Sequence, residues 1–459
     1  MRFRPDRFFL AGAASRRIVL LAGPLLCGAV AVYAQVSPNG AQFQINSYSF
    51  DAQRSSALAI DDAGRFVVVW GSSGSSGNDD SYFSIQLQRY SATGAALGGE
   101  LQVNSDTAGS QITPDVASAA SGAFVVVWAS NGSTGTDSSY ASVQAQRFDA
   151  GAAPSGLQFQ VNTYITQNQV EPAVASDALG NFVVVWQSYG SSGTDLSYAS
   201  IQGQRYDSAG NPVGAEFQVN TYTPLTQYTP AVASDSSGNF VVVWSSGGAS
   251  AGDASSYSIQ ARRYLANGTP VASEFQVNSY TPGDQTTPAV SIDGTGRFVV
   301  AWKSLGSSGT DFASTSIQAR RFAADGTPQG AEFQVNTYTT SDQSAPSVAA
   351  DAQGNFVIAW ASRGSSGTDA SAYSTQAQRY RANGVVSGGQ FQVNTYTTNN
   401  QDTPDVASDA GGNFVVTWQS SGSDGPDNSF LSVQGQRFDG LFRDGFESAN
   451  AGRWSAAAP

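Results

Sequence analysis

Asp115, Glu171 and Asp405 are the carboxylates whose positions invite a chemical reading. The chain has no histidine, and its single cysteine, Cys27, lies near the N-terminus. An imidazole base, a thiolate nucleophile and His or Cys metal ligands are therefore missing from everything downstream. What remains is carboxylate acid–base chemistry: one carboxyl kept protonated, a second ionised, about 5 to 9.5 Å apart, as glycoside hydrolysis requires. Asp115 and Asp405 stand where comparable segments have Ala173, Ala231 and Ala289, and Glu171 stands just upstream in a place usually held by threonine. With Asp284, Asp342 and Asp402 in neighbouring segments they make a candidate acidic mouth. Ordinary surface variation in an acidic protein gives the same pattern.

The comparison rests on a repeat. Trp70, Trp128, Trp186, Trp244, Trp302, Trp360 and Trp418 are spaced 58 residues apart without exception. The interval also carries Arg89, Arg147, Arg205, Arg263, Arg321, Arg379 and Arg437, and an asparagine in every F-Q-V-N-like segment, Asn46 through Asn394. A fixed period of this kind signals a repeat architecture. Within one unit four strands are expected: from Pro172 to Ser176, Asn181 to Trp186, Ser200 to Tyr206 and Glu216 to Asn220, the first two joined by a turn at Asp177 to Gly180. Four antiparallel strands per unit predict an all-β, seven-bladed β-propeller over residues 43–440. The segment F-Q-I-N at 43–46 precedes the first full unit, and the last unit lacks such a segment, so the N-terminal strand is expected to complete the last blade and close the ring.

The F-Q-V-N-T-Y and G-N-F-V-V-V-W segments resemble repeats of secreted bacterial proteins, and the resemblance covers about residues 43–440. It implies a binding or scaffolding propeller and assigns no activity. The Asp-x-x-Gly-Asn turn lacks the Ser-x-Asp-x-Gly-x-Thr-Trp spacing of the sialidase Asp-box, so no sialidase residues carry over. The tail L-F-R-D-G-F-E-S resembles short C-terminal tails of secreted bacterial proteins.

Repeated residues have mainly structural expectations. Each tryptophan ends a run apolar at consecutive positions, which fits packing between blades better than stacking on a sugar. The arginines are expected to brace each blade against the turn aspartate and the glutamate of the Glu216 series. Gln53, Gln111, Gln169, Gln227, Gln285, Gln343 and Gln401 recur ahead of the inner strand; they would either bond their own loops or ring the channel mouth as ligand-binding amides. Each long loop after the tryptophan carries one aspartate, too few for calcium, which takes about six to eight oxygens. Blade 7, with Asp424 and Asp427, is the candidate metal position, and no cofactor is expected.

Composition limits the partners. Five arginines and an apolar run from Ile18 to Val32, ending Val32-Tyr33-Ala34, predict a cleavable export signal over 1–34 and a short leader over 35–42. Ser15-Arg16-Arg17 is similar to a twin-arginine motif, although the general secretory route is the primary expectation. Removing five arginines and Asp6 takes the net charge from −13 to −17, which disfavours nucleic acid and anionic membranes. No second apolar run reaches membrane-spanning length. The expectation is an extracellular or periplasmic monomer, a non-enzymatic binding or scaffolding propeller for a glycan, peptide or surface polymer. The alternative is a carboxylate-dependent glycoside hydrolase or lyase in the central channel.

Overall fold

The computed structural model describes residues 37–440, apart from 76, 80–81, 133–134, 138–139, 192, 197, 249–252, 254–255, 366, 424 and 428–429. The expected export signal, the tail over 441–459 and Asp424 lie outside the described residues.

The β-branched and aromatic run from Phe182 to Trp186 forms most of the strand Phe182–Tyr189. It pairs on its inner side with Gln169–Ser176 and on its outer side with Ala199–Tyr206, which in turn pairs with the two-residue strand Phe217–Gln218. The same order recurs in seven four-stranded antiparallel sheets. The inner strands of adjacent blades touch one another around a central channel, and that of blade 1 meets that of blade 7. The architecture is a seven-bladed β-propeller. Among the described residues no helix is long and apolar enough to cross a membrane.

Successive side chains of a strand face opposite ways, so a strand apolar at every position must be covered on both faces. Phe182, Val184 and Trp186 pack with Val125, Val127 and Val143 of blade 2, whereas Val183 and Val185 pack with Phe240, Val242 and Trp244 of blade 4. Each core therefore lies between two blades. All seven repeat tryptophans are fully buried, and each indole N–H donates to a glutamine Oε1 at 2.9–3.2 Å.

The ring closes as the termini predict. Phe43 and Gln44 pair with Gly435 and Gln434 of the last blade. Asn46 then accepts the Val433 N–H at 2.9 Å and donates to Asp427 at 2.8 Å, the arrangement Asn162 makes with Val143 and Asp137 inside blade 2. The fourth strand is shorter than expected because the Asn162-type side chain supplies the next ladder bond after the backbone has turned away.

The inner strand starts earlier than expected and contains a β-bulge. Register shifts between Val170 and Ala173, so that Glu171 and Pro172 together oppose Trp186. Glu171 has φ of 51°, and Ser55, Thr113, Thr229, Thr287, Ala345 and Thr403 have φ of 47–54°. Non-glycine residues rarely adopt that region, β-branched ones least. Proline follows in six blades, an N–H-free residue suited to a bulge on a channel-facing edge.

Candidate functional site in the central channel

Just after the bulge the inner strand presents one residue per blade: Ala57, Asp115, Ala173, Ala231, Ala289, Ser347 and Asp405. The strand edge here faces the channel and has no further strand to pair with, so its N–H groups need other acceptors. The polar members of this ring provide them for the next blade. Asp115 Oδ2 accepts the Val174 N–H at 2.7 Å, and its Oδ1 accepts the Val116 N–H at 2.8 Å. Asp405 Oδ2 accepts the Leu58 N–H at 2.9 Å. Ser347 donates to Asp405 Oδ1 at 2.7 Å and accepts the Val406 N–H at 3.2 Å. Alanine can do none of this. By the same geometry Val232, Val290 and Val348 turn their N–H groups toward the channel, behind Ala173, Ala231 and Ala289.

The wall is thus split. Blades 6, 7 and 2 carry an arc of side-chain oxygens, and the inner edges of blades 4 to 6 carry an arc of backbone donors. Solvent touches Asp115 and Asp405 through the channel, yet protein surrounds both carboxyls. Burial, reinforced by the charge of Asp405, pushes Asp115 up to about 7 against the pull of its two backbone hydrogen bonds. Asp405 is also raised by burial, opposed by Ser347 and the Leu58 and Val406 N–H groups.

The structure pairs the candidate acids differently from the sequence reading. Asp115 couples to Asp405, across blade 1, rather than to Glu171. Glu171 is solvent-facing near the mouth, is raised by burial of its carboxyl, and acts on Tyr228 of blade 4. Tyr228 lies edge-on to Tyr257 at 5.0 Å, and Asp284 also raises its hydroxyl pKa. Asp402, raised by burial, accepts from Gln419 at 3.3 Å. Ser347 was missed, although its place in the Asp115 column was visible.

Three further sets of residues are placed by the structure, the glutamines in the own-loop role that was one of their two expected roles. Gln53, Gln111, Gln169, Gln227, Gln285, Gln343 and Gln401 form no ring of free amides; all are fully buried, with Oε1 on a tryptophan and Nε2 on their own loop carbonyls, as Gln111 shows with Ala108 at 3.0 Å. The arginines do not brace carboxylates. Arg89, Arg147 and Arg321 cross to carbonyls of the next blade, those of Ala150, Ser208 and Ala382, at 2.7, 3.2 and 2.9 Å. The turn aspartate is taken by its own turn, with Asp177 accepting from Leu179 and Asn181, and Glu216 accepts from Thr163 and Tyr164 of blade 2. Asp427 is buried against Asn46 and offers no open metal position. Among the described residues no group of three or more His, Cys, Asp or Glu side chains is placed to hold a metal ion.

No protein-family model and no curated protein matches the sequence. Solved structures do match in fold. A protein of unknown function from Dyadobacter fermentans is 10% identical with a TM-score of 0.50, over 88% of this chain and 98% of that one. The polysaccharide lyase Uly1 is 9% identical with a TM-score of 0.48, over 83% of this chain and 90% of that one. An α-L-arabinanase of Penicillium chrysogenum, complexed with arabinobiose, is 13% identical with a TM-score of 0.46, over 88% and 99%. At these identities the likeness is one of fold.

Proposed function

We propose that the protein is an exported binding propeller whose channel takes a hydroxyl-rich ligand, the end of a glycan chain. The observation that carries this reading is the split wall: carboxylate and hydroxyl acceptors on one arc, and on the other backbone N–H groups with only alanine side chains in that position. A sugar hydroxyl both donates and accepts, so a single residue of glycan satisfies both arcs, whereas a purely cationic or purely anionic group satisfies one. Equilibrium binding to a panel of oligosaccharides tests it. Asp115→Asn and Asp405→Asn are expected to weaken binding to the same glycan; binding unchanged in both variants removes the channel from the reading.

A specific observation also favours a catalytic reading of the same site. Burial, reinforced by the charge of Asp405, holds Asp115 near 7, so that this carboxyl keeps a proton close to neutral pH, a condition for acting as an acid. Release of new reducing ends or of unsaturated sugar from the bound glycan separates the two. Turnover lost in both variants supports a hydrolase or lyase, and tight binding without product supports recognition alone.

A further inference from the structure

The bottom face, where the short turns lie, has crevices between neighbouring blades, and in two of them the turn after the inner strand supplies an arginine that fills the space. Between blades 1 and 2 the turn supplies Arg65, and between blades 5 and 6 it supplies Arg297. Each is anchored on its turn aspartate, Asp61 or Asp293, at 2.7 Å. Each then reaches a carbonyl of the next blade, Ser121 at 3.2 Å or Gln353 at 2.8 Å. The space left in each of these crevices is only about 20 Å³. Blade 3 has Asn181 in the same place. Its amide is too short to cross and turns back on Asp177 at 2.7 Å, leaving a cavity of about 320 Å³ toward blade 4. That is the lower end of the range for small-molecule sites, roughly 300–1,000 Å³.

The walls are mixed, with Phe182, Tyr206 and Phe240 inside, Leu179 and Val213 at the rim, and Asn181, Ser234 and Ser237 among them. Into this space leans Arg205. Its counterparts Arg89, Arg147 and Arg321 are tied to the next blade, whereas among the described residues the Arg205 guanidinium has no hydrogen bond and no ion pair. Asp177, on the same wall, makes no ion pair with it; its oxygens accept the Leu179 and Asn181 N–H groups and the Asn181 amide. An unmatched guanidinium beside aromatic walls calls for a planar anion with an apolar body.

The geometry points to a second binding site in the crevice between blades 3 and 4, for a small organic carboxylate whose charge pairs with Arg205 and whose apolar stem lies on Phe182, Tyr206 and Phe240. It lies on the face opposite the channel mouth and is independent of the glycan reading. Calorimetric titration of the folded protein with benzoate tests it, with benzamide as the neutral isostere and inorganic sulfate as the anion without a stem. Benzoate is expected to bind saturably at one site, with benzamide at least about tenfold weaker, the worth of a charge-assisted hydrogen bond. Arg205→Gln removes the charge. Asn181→Arg fills the crevice with the side chain blades 1 and 5 already use, so the variant is expected to keep its thermal midpoint and lose benzoate binding. Benzamide or sulfate binding as well as benzoate overturns the proposal, as does a folded Asn181→Arg protein that still binds, or the absence of saturable binding. If Arg205→Gln does not fold, Asn181→Arg decides.

Discussion

At the outer edge of each blade, Glu100, Glu216, Glu274 and Glu332 interchange with Gln42, Gln158 and Gln390, and every one accepts the N–H of the residue after the asparagine in the preceding N-T-Y, N-S-Y or N-S-D turn. On the channel wall, Ala, Ser and Asp interchange at one position, and each change alters what the neighbouring blade's backbone is bonded to. At the outer edge a turn N–H needs an acceptor, and a carboxylate or an amide oxygen serves equally. On the wall the side chain stands between a strand edge and an open channel, so its identity decides what the channel offers a ligand. Variation at the first place is silent, and at the second it makes the channel asymmetric.

The contrast breaks most visibly if the shared body proves tolerant. Trp186→Ala deletes a fully buried indole between blades 2 and 3 and orphans Gln169, and is expected to cost about 3–5 kcal/mol in urea unfolding. A loss below ~1 kcal/mol would mean that inter-blade packing is not what makes the repeats uniform. The next effect belongs to the wall. Asp115 binds its proton more tightly in the folded protein, near 7 against an ordinary 3.8, so its contribution to stability is full below about pH 4 and is lost as pH rises toward 7. Asp115→Asn is expected to flatten that decline, a change on the order of 1–4 kcal/mol between the two ends of the window, read from unfolding free energies measured across it. Equal slopes in the two proteins would place the Asp115 carboxyl in an environment like water. Ser347→Ala removes the donor to Asp405 and the cap on Val406, for about 1–2 kcal/mol, and raises Asp405 further because a hydrogen bond to its ionised form is gone. A carboxyl-carbon NMR titration of Asp405 reads the direction.

Period and termini carried the architecture. A 58-residue interval, four strand-like runs and the orphan F-Q-I-N segment were enough for blade number and ring closure, because strand period and edge pairing are local consequences of sequence. Asp115 and Asp405 were legible as irregularities in a column of alanines. Their partnership was not, since blades 2 and 7 are distant in sequence and blade 7 comes beside blade 1 only once the ring is closed. The arginines were misread for a related reason: a repeat shows which residues recur but not whether each bonds within its own unit, as the glutamines do, or to the next. Arg89 and Ala150 are one unit apart in the chain and 2.7 Å apart across the crevice.

The smallest effect sharpens the comparison most. Glu216 accepts the Thr163 N–H at 2.6 Å and its hydroxyl at 2.7 Å. Gln158 accepts the Ser105 N–H at 2.8 Å and its hydroxyl at 3.0 Å in the preceding crevice. Both donors are neutral and the site is open to solvent, so the carboxylate has little electrostatic advantage over the amide. Glu216→Gln is therefore expected to change unfolding free energy by less than about 0.5 kcal/mol, while Glu216→Ala, which leaves the Thr163 and Tyr164 N–H groups without this acceptor, costs about 1–2 kcal/mol. A Gln substitution as damaging as Ala would show that charge, not acceptor geometry, holds neighbouring blades together at their outer edge, and the supposed silence of variation there would be gone.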